Sequence, residues 1–506
     1  MSRHLIGIDV GTTGVKTVLV DASGALVARA IVEYPLLQPR PGWAEQDPAR
    51  WYDAAAECSR KALAAAGVSG ETVRAIGLSG QMHGAVFLSG KGEPLRNAIL
   101  WCDQRTGAEC DEIVERLGGL PRLVRLTKNR AQTGFTAPKI LWVRRNERAT
   151  WDRTRKILLP KDYVRYRMTN AFATEPSDAS GTLLFDVAGR RFSDEVLGAL
   201  EIPREYMPAV VESPEITGTL TPEAAVEFGL RAGTPIVGGA GDCAAGAIGT
   251  GVTRAGRLSV SIGTSGVLFA HADHPWTDPL SRLHTFCHAV PGAWHLMGVM
   301  LMAGGSFRWF RDTFGGEERA VAASLGADPY DVLCDRAAAV APGSGGLLFL
   351  PYLQGERTPH ADPLARGAFV GIGLEHGRAH FARAVLEGVA FGLNDSLEIF
   401  RSLGVKPGEI RATGGGARSP LWRRILADVL RTPIATPAVD EGPAFGAALL
   451  ASVGAGAFLD VDEAANAAVR IASVTEPDEG RAALYRERFE AYRSLYPALH
   501  GRGAPG

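Results

Sequence analysis

The sequence has almost no net charge: 54 Lys+Arg stand against 55 Asp+Glu, leaving a formal charge of −1 over 506 residues. A chain so balanced is not built to coat nucleic acid or an anionic membrane. No run of 18 uncharged apolar residues occurs, so no membrane span is expected. The nearest candidate, 232–252, is interrupted by Asp242 and by many glycines. The opening MSRHLIGIDVGTTGVK has no long apolar stretch and no small-residue cleavage site, which predicts a chain without a secretory leader. The six cysteines include no CxxC pair, which predicts free thiols in a reducing cytoplasm. His284, Cys287 and His288 lie close together, but no four-ligand spacing completes a metal set. FCHAV, Pro291-Gly292 and AWHLMG are better read as a hairpin. Neither GxxxxGK[ST] nor GxGxxG follows the first strand, which disfavours those two nucleotide folds.

What is plentiful is glycine, 61 residues or about 12% against a usual ~7%. Hydrophobic content is 46% and charged content 22%, the profile of ordinary globular protein, and the length suits at least two domains. The first segment reads as strand, Gly-Thr turn, strand, Ser-Gly turn, strand. Ile6, Ile8 and Val10 share one face and Asp9 the other. Asp47-Pro48 caps a helix running to about Ala66. Helices are also expected over 108–117, 137–145 and 378–403, the last with a stripe of Phe381, Val385, Val389 and Leu393. Ser419-Pro420 caps a further helix. The last fifty residues read as Ala-rich helix ending in a frayed GRGAPG.

The first motif recurs. Gly11-Thr12-Thr13-Gly14-Val15 matches Gly263-Thr264-Ser265-Gly266-Val267 at an offset of 252 residues, almost half the chain. Leu258, Val260 and Ile262 stand where Ile6, Ile8 and Val10 stand. This predicts two α/β domains of similar core, 1–249 and 250–506. A Gly-Thr turn suits a phosphate, because backbone N–H groups can converge there and threonine adds hydroxyl donors. Two such turns facing across a cleft suit a nucleotide. Asp9 could hold Mg²⁺ through water, and its counterpart is Ser261, so the metal end falls to the first domain. Gly414-Gly415-Gly416 before a capped helix offers another place of close backbone approach. Asp242 follows an apolar strand and opens a helix, either as a plain N-cap or as a base facing a substrate hydroxyl. A helix N-terminus there would favour its ionised form.

These segments resemble the FGGY carbohydrate kinases. The resemblance runs from about Leu5 past Leu450 and rests on IGIDVGTTGVK, GLSGQMHGAVFL, LWCDQR, GFTAPKILWVRRN, LLPKDYVRYRMT, GGAGDCAAGAIG, SIGTSGV, PYLQGERTPH, GAFVGIGLEHGRAHFARAVLEGV and ATGGGARSPLW. It implies an actin-like ATPase fold, with two ribonuclease-H-like domains around a cleft for nucleotide and sugar. It implies ATP and Mg²⁺ as cofactors and a small sugar as substrate. Within the family, QMHG and GERTPH point to D-xylulose, phosphorylated to D-xylulose 5-phosphate. Ribulose, a pentitol, gluconate and glycerol are alternative acceptors, and a chaperone-type ATPase is the alternative of another class. By resemblance Asp242 is the catalytic base and Asp9 helps hold Mg-ATP. Gly11, Thr12, Thr13, Lys16, Gly263 and Thr264 belong to the phosphate loops, and Gly415, Gly416 and Ser419 to the adenosine segment. Met82, His83 and Asp103 are sugar contacts. Cys243 stands where the family usually has Asn, and a weak hydrogen-bonder in place of an amide puts the exact sugar in doubt. A homodimer is compatible with the family.

Overall fold

The computed structural model describes residues 4–500, so the GRGAPG end lies outside the described residues. Two mixed sheets dominate. The first contains β1 (His4–Val10), β2 (Gly14–Asp21), β3 (Leu26–Glu33), β4 (Val73–Gly80), β5 (Ile216–Thr219) and β6 (Pro235–Val237). Their order is β5-β6-β4-β1-β2-β3, with the short β7 (Ala240–Gly241) also beside β4. The second contains β8 (Arg257–Ile262), β9 (Gly266–Ala272), β10 (His284–Cys287), β11 (Trp294–Met300), β12 (Glu409–Thr413), β13 (Ile434–Pro437) and β14 (Ile471–Thr475). Their order is β10-β11-β9-β8-β12-β13-β14.

Reading outward from β1 and β8, the two sheets match strand for strand. Each central strand pairs antiparallel with the next strand of the chain and parallel with a later one (β4, β12). A second parallel strand follows (β6, β13), then an antiparallel one (β5, β14). The repeat seen in five letters is therefore a repeat of topology. Its parallel strands end on the same side, where open α/β sheets bind ligands.

Helix α1 (Pro48–Ala66) covers β2 and β3 and is capped by Asp47, whose carboxylate accepts from the Ala49 N–H at 3.0 Å. Helix α2 (Asp242–Gly249) opens directly after β7. In the second half, α3 (Gly304–Phe314) starts beside the Gly263 turn, α4 (Arg378–Ser402) runs through the core, and α5 (Pro420–Leu430) begins at its Ser419 cap. Helix α4 is buried without interruption from Ala382 to Leu397 rather than along one stripe, because helices and strands enclose it on every side. The hairpin around Pro291-Gly292 is present as β10 and β11. The closing segment is not all helix: β14 sits at a sheet edge, and its largely exposed side chains lack the alternation that reveals a half-buried strand.

The chain after residue 441 returns to the first sheet. Helix α6 (Gly442–Gly454) packs on β1, β4 and α2. The approach is so close that a Cβ on Gly446 would lie 1.8 Å from the Ala245 carbonyl oxygen, and one on Gly7 would lie 1.9 Å from that of Ala444. Glycine is needed at these contacts for space, whatever its backbone angles. Among the described residues, no helix is long and apolar enough to cross a membrane.

Candidate active site

Residues far apart in the chain meet at the carboxyl ends of the parallel strands. Asp9 pairs in register with Ser79 of β4, and Ser79 pairs with Ala240 of β7. Two residues further on, Asp242 is reached. The first sheet thus delivers two carboxylates to one edge. Gly241 is the N-cap, and Asp242 is the first residue of α2. Its Oδ1 accepts from the backbone N–H of Cys243 at 2.7 Å. Burial pushes the Asp242 carboxyl up despite that bond. This corrects the expectation of a carboxylate held ionised by the helix: removal of water outweighs the helix end.

Asp9 is pushed up to about 7, first by burial and then by the charge of Asp242, while Ser79 and Lys16 oppose the shift. Ser79 donates its hydroxyl to Asp9 Oδ1 at 3.1 Å. Lys16 stands opposite Asp9 on β2, and its ammonium lies 3.2 Å from Glu441, which also binds Arg29. Two buried carboxylates at one edge, Asp242 raising Asp9 and a single lysine nearby, form a donor set that a divalent cation would relieve. The residues therefore fit Mg²⁺ with few protein ligands.

The phosphate turns differ in detail from the expectation. Thr12 does not offer its hydroxyl: it donates to Gln81 Oε1 at 3.1 Å and accepts from Trp101 Nε1 at 2.9 Å. The Thr12 carbonyl accepts from Gln46 Nε2 at 2.7 Å, so this side of the turn is braced by its own chain. Gly11 closes the turn onto Gly14 O at 3.0 Å, and Thr13 is the exposed threonine. In the second turn Gly263, Thr264 and Ser265 are all exposed. The Gly263 and Thr264 carbonyls accept from the backbone at the start of α3, including Gly304 N at 2.9 Å and Ala303 N at 2.8 Å.

Beside the second turn lies a cavity of about 540 Å³. Gly263, Thr264, Gly415, Gly416 and Ser419 all line it, together with Phe307, Arg308, Tyr330 and Trp422, which sequence reading missed. The triple glycine reaches it because Ser261 of β8 pairs with Thr413 of β12, so the two loops leave neighbouring strand ends. Gly414 has φ 81°, and a Cβ there would lie 2.7 Å from the Ile262 carbonyl. Gly416 packs on the Ile262 side chain. Ser419 caps α5 at Trp422 N (3.3 Å) and also donates to Cys334 Sγ at 3.3 Å. Phe307 and Tyr330 stack at 5.7 Å, giving the cavity a flat aromatic wall suited to a base.

In the first half, Gln81-Met82-His83 leaves β4 in the place that the triple glycine has beside β12. Met82 is buried and packs against Gly241, next to Asp242. His83 has φ 68°, rare for a residue with a Cβ, and its carbonyl is held by Lys139 Nζ at 2.8 Å and Thr136 Oγ1 at 3.1 Å. Burial and the Lys139 charge pull its imidazole down to about 3, so it is neutral. Nδ1 lies 2.7 Å from the Gly181 carbonyl and must donate to it, which leaves Nε2 as an acceptor for a hydroxyl. Phe135 and Phe286 flank the ring at 4.7 and 6.1 Å. Cys243 is half-buried, and its thiol, pushed up by burial and by Asp242, faces the Asp242 carboxylate and the apolar cores around it.

Asp103 does not join this group as a sugar contact. It is fully buried; Oδ2 accepts from Ala44 N at 2.6 Å, and Arg105 binds both carboxylate oxygens. Its acceptors hold its own loop together. His284, Cys287 and His288 bind separate partners: Asn129 Oδ1, the Val187 carbonyl and the Val252 carbonyl.

The comparisons with known proteins settle the family. The N-terminal domain of the FGGY family of carbohydrate kinases matches residues 4–249, and its C-terminal domain matches residues 258–455. The chain belongs to the FGGY family of carbohydrate kinases. As an FGGY member, it is 42% identical to a xylulose kinase of Escherichia coli, over 98% of this chain and 99% of that protein. It is 38% identical to a xylulose kinase of Bacillus subtilis, over 98% and 97%. Among solved structures, the ligand-bound xylulose kinase of Lactobacillus acidophilus superposes with a TM-score of 0.91 at 30% identity, covering 99% of each chain. Apart from the edge strand β14, the two matched FGGY domains carry the two sheets described above, which is the actin-like arrangement.

A pH dependence follows from the Asp9 environment. Asp9 is charged above about 7 and protonated below it, and only the charged form attracts a divalent cation. The expected kcat/KM for Mg-ATP falls as pH drops through that value. In Asp9→Asn the activity is lower throughout and this step is gone. A pH profile of both proteins at saturating sugar checks it; an unchanged profile in the variant would remove Asp9 from the metal.

Proposed function

We propose that this FGGY kinase transfers the terminal phosphoryl of Mg-ATP to D-xylulose, giving D-xylulose 5-phosphate. The observation that carries the reading is that each sheet gathers its candidate residues at one strand edge. One edge holds Asp9 and Asp242 beside Met82 and His83; the other holds the Gly263 turn beside an aromatic cavity. The relatives named xylulose kinase support the choice of sugar.

On this reading residues 1–249 bind the sugar, and residues 250–506 bind most of the ATP. The neutral His83 accepts a sugar hydroxyl at Nε2. Asp242 keeps Oδ2 for the primary hydroxyl of the sugar and takes its proton as the phosphoryl arrives. The loose character of phosphoryl transfer means that orientation of this hydroxyl matters more than early proton removal. The turns at Thr13 and Gly263–Ser265 present N–H and hydroxyl groups to the phosphates. Gly415, Gly416, Tyr330 and Trp422 hold the adenosine. Mg²⁺, held by Asp9 through water, supplies neutralisation of phosphate charge. Closure of the two halves excludes water from the cleft.

ADP release measured across a panel of acceptors tests the reading. D-xylulose is expected to stimulate it most. Stronger stimulation by ribulose, a pentitol, gluconate or glycerol would overturn the sugar, and ATP hydrolysis that needs no sugar would overturn the kinase assignment. The same panel reads Cys243→Asn. Restoring an amide beside Asp242 is expected to sharpen the preference among ketopentoses, and unchanged ratios would show that Cys243 does not touch the sugar.

A further inference from the structure

By resemblance the GERTPH segment is one of two that point to the sugar, yet none of its residues lies in the site described above. Its middle is fastened to the sheet from both sides. Glu356 Oε1 accepts from Leu301 N at 3.0 Å. Thr358 N donates to the Val299 carbonyl at 3.0 Å, and Thr358 Oγ1 accepts from Val299 N at 3.1 Å. Val299 and Leu301 lie at the end of β11, where Met300 pairs with Gly266, the first residue after the second phosphate turn. Arg357, between these two anchors, is therefore placed at the cleft edge of the second sheet.

The same edge builds the far wall of the sugar pocket. Strand β10 pairs with β11 and carries His284 and Phe286. Their rings meet Phe135 of the first half at 5.7 and 6.1 Å, and Phe286 meets His83 at 6.1 Å. Arg357 sends its positive charge toward this group: it is among the charges acting on both His83 and His284. It is not among those acting on Asp9 or Asp242. Together with the anchoring of Glu356 and Thr358 on β11, this is consistent with a guanidinium nearer His83 than Asp242.

The guanidinium is also short of partners. Arg357 is half-buried, yet among the described residues it makes no side-chain hydrogen bond and no ion pair within 4.0 Å. Glu356 is the one group that acts on its charge, and burial pushes that carboxyl up to about 8. Arginines with buried side chains, such as Arg105, Arg165 and Arg383, are bound by carboxylates, whereas Arg357, like the half-buried Arg130, has none within 4.0 Å among the described residues. A half-buried guanidinium whose five donors are not taken up by the protein can give them to a ligand oxygen.

We propose that Arg357 is a specificity-determining residue of the sugar site. It donates to hydroxyl or carbonyl oxygens of the sugar on the side away from the reacting hydroxyl, opposite His83. The second half then grips the sugar as well as the nucleotide, and a bound sugar ties the two halves together. This rests on the sugar-kinase reading above.

The test compares Arg357→Met, which keeps the length of the stem and removes the donors, with Arg357→Lys and the wild type. All three are assayed on the sugar that the wild type prefers in the panel. The expected result is a KM for the sugar raised about tenfold or more in the Met variant, the size of losing a hydrogen bond to a charged group. The Lys variant should fall in between, with kcat and the KM for Mg-ATP close to wild type in both. An unchanged sugar KM overturns the proposal. So does a fall in kcat at unchanged sugar KM, which would put Arg357 on the transferred phosphoryl. If the Met variant does not fold, an unchanged sugar KM in the Lys variant is enough to overturn it. A wild type that turns over no sugar refutes the kinase reading itself and the role of Arg357 with it. A wild type that prefers another sugar corrects the substrate and leaves the comparison intact.

Discussion

Asp242→Asn is expected to lower kcat by about 10²–10⁴-fold, the range for loss of a positioned acid–base group. Asp242 Oδ1 is already bound by its own Cys243 N–H, so one oxygen remains for the sugar hydroxyl. Burial raises its carboxyl, which makes it a stronger proton acceptor than a free aspartate. Asparagine fills the same space and keeps the helix start, but its amide cannot take a proton. Binding of metal-free ATP, read by calorimetry, should be unchanged, because that cavity lies on the other sheet. Turnover near wild type in this variant would remove Asp242 from its role.

The second large effect is expected behind the site. Lys161 is completely buried and faces three carboxylates: Asp162 at 2.7 Å, Glu175 at 3.2 Å and Asp178 at 3.3 Å. Arg165 joins from the next turn, 2.9 Å from Asp162. Three acids against two bases would leave a buried negative charge. Burial pushes the Asp178 carboxyl well up, against the pull of Lys161, and this eases the excess. Lys161→Met breaks that balance and leaves carboxylates that cannot be solvated. Loss of one partner from a buried charge cluster destabilises by about 3–5 kcal/mol. Chemical denaturation of the variant measures it, and a loss below about 1 kcal/mol, the scale of an exposed pair, would contradict the account. The cluster also bears on catalysis. Glu175 caps the turn holding Ser177, and Ser177 Oγ accepts from Gly241 N at 3.0 Å, one residue before Asp242. A folded variant should therefore lose kcat as well as stability.

Periodicity and turn chemistry made much of this legible. Asp47-Pro48 and Ser419-Pro420 announce their helices, because a capping side chain and a ring-fixed backbone act within four residues. The repeated Gly-Thr turn announced two related sheets, because the same strand–turn–strand unit needs the same residues each time. Family resemblance then added roles that spacing alone does not assign. What stayed hidden follows from how side chains are used. Asp103 and the Thr12 hydroxyl carry the right chemistry, but neighbours from other parts of the chain already bind them. Phe307, Tyr330 and Trp422 look like ordinary core aromatics until the fold gathers their helices around the loops that leave β8 and β12.

The sequence by itself therefore determined the family, the two-sheet architecture and the residue types at each strand end. These depend on local pattern and on motifs that read the same in any context. Only the tertiary structure decided which groups are available and in what state. Burial, a property of the whole fold, raises Asp9 and Asp242 and holds His83 neutral. The near-absence of net charge with which the sequence is first met has the same resolution. Charges balance locally, in buried clusters such as that of Lys161. At Arg357, a half-buried guanidinium with no side-chain hydrogen bond or ion pair among the described residues, the balance is left for a ligand.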